Sequence, residues 1–213
     1  MRKNNLRVKI GVKVSLLIFA VLLVDQRLKF WVKLNMIHGE SFDLLGLSWA
    51  KIYFVENEGM AFGWEFGGDY GKLLLTSIRM LAVPGGFYFI HQLIKKGYHQ
   101  GLVLCAGLIV AGAMGNLIDS IFYGEIFSHS YGQLATLFPE GGGYETFLHG
   151  RVVDMFYFPL LDTTWPEWFP YFGGKPLRFF QAIFNVADSS ISIGVAIILL
   201  FQSKLLKEPN VAS

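Results

Sequence analysis

Four carboxylates and three side-chain amides are the groups in this sequence best placed to do chemistry: Asp25, Asp119, Asp154 and Asp188, with Asn57, Asn116 and Asn185. Asn116 and Asp119 are three residues apart, as are Asn185 and Asp188, and Asp25 and Lys29 are four apart, so each pair shares one helical face. Two carboxylates held close in a poorly solvated place cannot both ionise, so one holds its proton far above its usual range. The ionised partner activates a water, and the protonated partner donates to a carbonyl oxygen or a leaving group. That is the chemistry of aspartic proteases, and it needs no metal. Spacing alone does not choose the pair among the four aspartates.

The elements that must position these groups are membrane helices. Of 213 residues, 53% are hydrophobic and 16% charged, and the mean hydropathy is +0.45. Soluble domains average about 25% charged residues. The composition excludes a disordered chain, a coiled coil and a nucleic-acid binder led by a basic face. A spanning helix needs about 20 mostly apolar residues. Four segments meet that length, at about 10–33, 72–94, 101–123 and 179–203. The second contains Arg79 and Pro84-Gly85-Gly86, interruptions that helices in lipid tolerate. The third is rich in Gly and Ala, which suits close helix packing. The basic N-terminus resembles a signal peptide, but Asp25-Gln26-Arg27 follows in place of a small-residue cleavage site, so the first span reads as a retained anchor.

Lys and Arg near the ends of the spans place both termini and the 95–96 loop in the cytoplasm. Two long loops, about 34–71 and 124–178, are then external. Segment 47–55 is rich in strand formers and Asn57-Glu58-Gly59 reads as a turn after it, which predicts a small sheet on the outer surface. The fold class expected is an all-α membrane protein of four transmembrane helices, with a small external β-sheet and an enlarged second external loop, forming one membrane domain over 1–213.

In that topology every candidate group falls at the outer leaflet. Asp25 lies about 22 Å along the first span, counted from Ile10 at about 1.5 Å per residue. Asn116 and Asp119 are near the outer end of the third span, and Asn185 and Asp188 are expected two turns or more below the outer surface of the fourth. Polar groups inside spans usually mark function. Structural readings stand beside the functional ones. Asp25 with Lys29 reads as an ion pair closing the first helix, Asp119 as a cap or a pairing group, and Asn116 and Asn185 as interhelical hydrogen-bond partners. The histidines show no metal-ligand spacing. Cys105 reads as a small packing residue, and Ser189 and Ser190 lack a paired base. No cofactor is implied.

The stretches D-Q-R-L-K (25–29), N-E-G-M-A-F-G (57–63), G-A-M-G-N-L-I-D (112–119), G-R-V-V-D-M (150–155) and F-N-V-A-D-S (184–189) together resemble the lipoprotein signal peptidase (signal peptidase II) family of the bacterial inner membrane. The resemblance implies an aspartic endopeptidase that removes the signal peptide from diacylglyceryl-modified prolipoproteins, cutting just before the lipidated cysteine. It implies Asp154 and Asp188 as the catalytic dyad. It implies that Asn57, Asn116 and Asn185 line the site, that Asp25, Lys29 and Asp119 support it, and that a small external sheet cradles the substrate. The partners implied are the lipid-modified precursor and membrane lipid, with no nucleic acid and the oligomeric state left open. A small proton- or ion-coupled transporter is the alternative from another class, since intramembrane carboxylates also relay protons. An inactive relative that only binds precursors is the other.

Two departures from the family pattern stand out. Ser120 occupies the position where the family usually carries Arg. Arg79 is expected to supply the missing charge beside Asp119, with Arg151 as a second source. About 30 residues separate Ser120 from Gly150, and Pro159–Arg178 adds Trp165, Trp168, Tyr171 and Phe172. Such aromatics favour a lid or belt at the lipid–water interface, or a docking surface.

Overall fold

A computed structural model describes residues 2–57 and 68–207. Helix α1 (Arg2–Asn35) leads into strands β1 (Ser41–Leu44) and β2 (Leu47–Asn57). Helices α2 (Gly68–Lys96) and α3 (Gln100–Ile118) follow, and α3 continues through a π-helical turn (Asp119–Tyr123) into the short turn α4 (Gly124–Ile126). Then come β3 (Val152–Tyr157), β4 (Leu161–Thr164), β5 (Pro176–Phe179), β6 (Ile183–Phe184), α5 (Val186–Leu200) and α6 (Gln202–Leu205). The turn expected at 57–59 lies outside the described residues beyond Asn57.

Two of these helical segments, Gly71–Lys96 and Gln100–Ile126, are long and apolar enough to cross a membrane, while α5 is apolar but shorter. Helix α2 runs unbroken through Pro84. Val14 and Ile18 of α1, Ile90 and Leu93 of α2, and Val103 and Val110 of α3 form one core. Gly112 lets α3 and α5 approach closely, because a Cβ there would collide with the Ala187 carbonyl oxygen.

The β-structure is larger than the sequence predicts, and all-α is too narrow a class. A four-stranded sheet runs in the order β1-β2-β3-β6, and β4 pairs with β5 in a separate antiparallel hairpin. Strand β2 buries Ala50, Ile52, Phe54 and Glu56 alternately, the pattern of a sheet with one covered face. The β1–β2 turn is Leu45-Gly46, both at positive φ (54° and 73°), as a tight two-residue hairpin demands. Beneath the sheet, Phe54, Val153 and Met155 pack on Val32 and Met36 of α1 and on Phe127 and Ala135 of the enlarged loop. That core also contains an ion pair: Lys33 bonds Glu56 and lies 3.0 Å from the Ser130 hydroxyl.

The fourth predicted span is the main correction. Residues 179–185 are not helical: Ile183 and Phe184 form β6 against Tyr157 and Phe156. The apolar run Phe179-Phe180 and Ile183-Phe184 has the composition of either a buried helix or a strand, and pairing decides for strand, of Phe179 with β4 and of Ile183 and Phe184 with β3. The helix starts only after Asn185, which caps it in a reciprocal capping box with Asp188. Asp188 is therefore in the first turn of α5, not two turns deep. The third predicted span likewise changes from α to π geometry at Asp119.

Candidate active site

Asp154 and Asp188 come from different elements and meet through amides. Asp154 is buried in the middle of β3. Its Oδ1 accepts a hydrogen bond from Asn185 Nδ2 at 2.7 Å, and its Oδ2 accepts one from Asn57 Nδ2 at 3.2 Å. Asp188 Oδ1 accepts from Asn116 Nδ2 at 2.8 Å, and its Oδ2 accepts from the Asn185 backbone N–H at 3.3 Å. Asn185 Nδ2 also donates to Asn116 Oδ1 at 3.1 Å. Burial, reinforced by the neighbouring Asp188 charge, pushes the Asp154 carboxyl up to about 7. Two interacting carboxyls, one of them holding its proton near neutrality, are equipped to activate a water and polarise a carbonyl together.

Behind the amides lies a fully buried charge cluster. Lys29 Nζ is 2.9 Å from Asp25 Oδ2 and 2.8 Å from Asp119 Oδ2, with all three side chains out of solvent. It also donates to Asn116 Oδ1 at 2.9 Å. Asn116 thus accepts from Lys29 and Asn185 on its oxygen, which directs its NH2 at Asp188. Each carboxylate then secures another element. Asp25 Oδ1 accepts from the Ala187 backbone N–H at 2.9 Å, tying α1 to the start of α5. Asp119 Oδ2 accepts from the Val153 N–H at 3.3 Å, tying α3 to β3 beside Asp154. Gly150 is needed because a Cβ there would strike the Asp119 carbonyl oxygen.

The structure adds detail to the two expectations about compensating charge. Asp119 is paired by Lys29. Arg79 reaches position 120 but donates to the Ser120 hydroxyl at 3.0 Å, and Ser120 in turn donates to the Asn116 carbonyl at 2.9 Å. The Arg79 guanidinium is largely buried and within electrostatic reach of Asp188, Asp119 and Asp154. Arg151 lies 3.7 Å from Glu56 and over the Tyr144 ring, within the cluster beneath the sheet. Among the described residues, no group of three or more His, Cys, Asp or Glu side chains is arranged to hold a metal ion.

Comparison with known proteins decides the family. The sequence model described as Signal peptidase (SPase) II matches residues 17–204. The chain belongs to the signal peptidase II family. It is 50% identical over 191 residues to a lipoprotein signal peptidase of Porphyromonas gingivalis, covering 89% of this chain and 82% of that one. It is 38% identical over 189 residues to a lipoprotein signal peptidase of Amoebophilus asiaticus, covering 87% of this chain and 75% of that one. Two solved structures described as bacterial membrane enzymes have a similar fold. One has 27% identity and a TM-score of 0.57, covering 93% of this chain and 94% of that one. The other has 25% identity and a TM-score of 0.59, covering 90% of this chain and 93% of that one. A signal peptidase II is an aspartic protease of the bacterial inner membrane that removes signal peptides from prolipoproteins, and family membership assigns that activity to this chain.

Sequence reasoning passed over two groups that join this candidate site. Gln26 Nε2 donates to Asp119 Oδ1 at 2.9 Å, and the buried Tyr123 hydroxyl donates to Gln26 Oε1 at 3.1 Å. Gln26 sits inside the D-Q-R-L-K stretch, next to Asp25, and that adjacency was the available signal. Tyr123 carried none, since its partner is 97 residues away.

Proposed function

We propose that Asp154 and Asp188 are the catalytic dyad, and that the substrate is a prolipoprotein whose cysteine already carries diacylglycerol, cut just before that cysteine. The observation that carries this reading is the bracketing of the two aspartates by Asn57, Asn116 and Asn185, which fixes both carboxyls and leaves them one interacting pair. The pair shares one proton. Asp154 is the member that keeps it, being buried and raised to about 7. Asp188 takes the charge: it lies in the first turn of α5, where the helix dipole favours an anion.

The reaction then runs as follows. Asp188 removes a proton from water, which attacks the scissile carbonyl. The Asp154 proton goes to the developing oxyanion, and a proton returned to the leaving nitrogen completes the cut. Four spans with both termini cytoplasmic put this site at the outer leaflet, where a lipidated cysteine keeps its acyl chains in the bilayer. The exposed aromatics of the β4–β5 hairpin, Trp168 and Tyr171 among them, rest against that leaflet as a belt.

The test uses the purified protein in detergent with a diacylglyceryl-modified prolipoprotein, comparing wild type with Asp154→Asn and Asp188→Asn. Cleavage before the lipidated cysteine by wild type alone is the expected result. Retained turnover in either variant overturns the dyad. Equal cutting of the unmodified precursor overturns the substrate assignment.

A further inference from the structure

Beyond the dyad, along the same strand, is a cavity of about 710 Å³ for which the chemistry above has no use. Its walls include Ser41, Trp49, Lys51, Tyr53, Tyr157 and Gln181. The volume is within the few hundred to about 1,000 Å³ typical of sites that bind small ligands. The lining is mixed. Tyr53 and Tyr157 approach with ring centroids 5.9 Å apart, and Trp49 adds a third aromatic face. Gln181 is held by the Tyr157 hydroxyl and donates to the Leu161 carbonyl at 3.4 Å, which orients its amide. The Lys51 charge is partnered by Asp43 at 3.3 Å. Aromatic faces with oriented hydrogen-bonding groups and a balanced charge suit a short stretch of extended polypeptide better than acyl chains or a phosphate.

The position says which polypeptide. Strand β3 carries both Asp154 and Tyr157, and its pairing with β2 sets Val55 opposite Asp154 and Lys51 opposite Tyr157. At about 3.3 Å per residue the cavity begins about 10 Å from the dyad along β3. An apolar signal peptide suits the apolar helices, so the chain after the scissile bond is the part free to run out along the sheet from the proposed dyad. We infer that the cavity is a subsite for the mature chain of the precursor, receiving side chains about three to five residues beyond the scissile bond. This rests on the peptidase reading, and it adds a determinant of substrate choice outside the lipidated cysteine.

Two diacylglyceryl-modified precursors test it, one with a full mature chain and one ending two residues after the cysteine. Wild type should cut both, with a lower KM for the long one. The Trp49→Ala/Tyr157→Ala variant should raise KM for the long precursor about tenfold, the effect of losing about 1.4 kcal/mol of contact, and leave the short one unchanged. Unchanged cutting of the short precursor also reports an intact fold and dyad. Equal KM for the two precursors with wild type, or an equal shift for both with the variant, overturns the subsite. A second measurement does not depend on the variant folding. A photoreactive residue four positions after the cysteine, bound to Asp188→Asn enzyme, should crosslink to Trp49, Tyr53 or Tyr157, and crosslinks confined to other segments overturn the inference. Failure of wild type to cut either precursor would instead refute the peptidase reading itself.

Discussion

Asn185 donates to Asp154 across 2.7 Å while its own side-chain oxygen caps the helix that carries Asp188. One residue thereby fixes the distance between two carboxyls on different elements. Its two functions can be separated by substitution. Asn185→Ala should cost about 0.5–2 kcal/mol through the lost cap, and about 100-fold or more in kcat through the displaced proton donor. Asn185→Ser keeps an oxygen able to cap but has no NH2 for Asp154. With its cap kept, it should unfold at a higher temperature in detergent than Asn185→Ala, while kcat stays low. A serine variant with full kcat would mean that the cap alone matters.

The raised carboxyl of Asp154 predicts a pH dependence with a definite sign. Its folded value, about 7, lies above the ordinary carboxylate range because burial, then the Asp188 charge, disfavour ionisation. Such a group stabilises the fold fully below the unfolded value of about 4 and loses that contribution as pH rises towards about 7. Wild type should therefore lose stability relative to Asp154→Asn between about pH 4 and 7, read as a difference in unfolding midpoint. Turnover should fall on the alkaline side as the same proton leaves. Parallel stability curves for the two proteins across that range would show that Asp154 ionises in its ordinary range.

Much of the site was legible in the sequence because carboxylates and amides are costly in apolar segments, so their mere presence near span ends singled out Asp25, Asn116, Asp119, Asn185 and Asp188. The i,i+4 pairing of Asp25 with Lys29 was equally visible. Its extension to Asp119 and Asn116 was not, because those contacts close over about 90 residues of chain and local spacing carries no trace of them. The start of α5 was misread for a related reason: Phe179–Phe184 is apolar enough to extend a span, and it is pairing with β4 at Phe179 and with β3 at Ile183 and Phe184 that makes these residues strand. The β4–β5 hairpin was seen as an aromatic loop but not as a paired element, since neither strand has a clear alternation.

The contact of Arg79 with Ser120 predicts a positional exchange. The guanidinium is anchored on Ser120, within electrostatic reach of Asp188 and Asp119. Arg79→Met should reduce kcat/KM by roughly tenfold or more, since each 1.36 kcal/mol of lost stabilisation is tenfold, and unfolding should change little. Adding Ser120→Arg to that variant restores a cation at the same place from the neighbouring helix and should recover activity. A double variant no better than Arg79→Met would show that the location of the charge is not what counts. Full activity in Arg79→Met alone would remove Arg79 from the site.

Gly112 links helix packing to the proposed dyad most directly. It is one turn before Asn116 on α3, and a Cβ on it would collide with the Ala187 carbonyl oxygen and lie 2.6 Å from Ile191 Cγ1. Ala187 immediately precedes Asp188, so α5 cannot yield to the methyl without carrying Asp188 away from Asn116. A displacement of about 1 Å at the reacting groups can cost about 100-fold in rate. Gly112→Ala should therefore lower kcat by that order while precursor binding to the folded protein persists. Gly85→Ala is the matched control, on α2 with open space around its Cβ position, and should leave kcat unchanged. If the two alanines behave alike, the α3–α5 approach is not what holds Asp188 in register with Asn116.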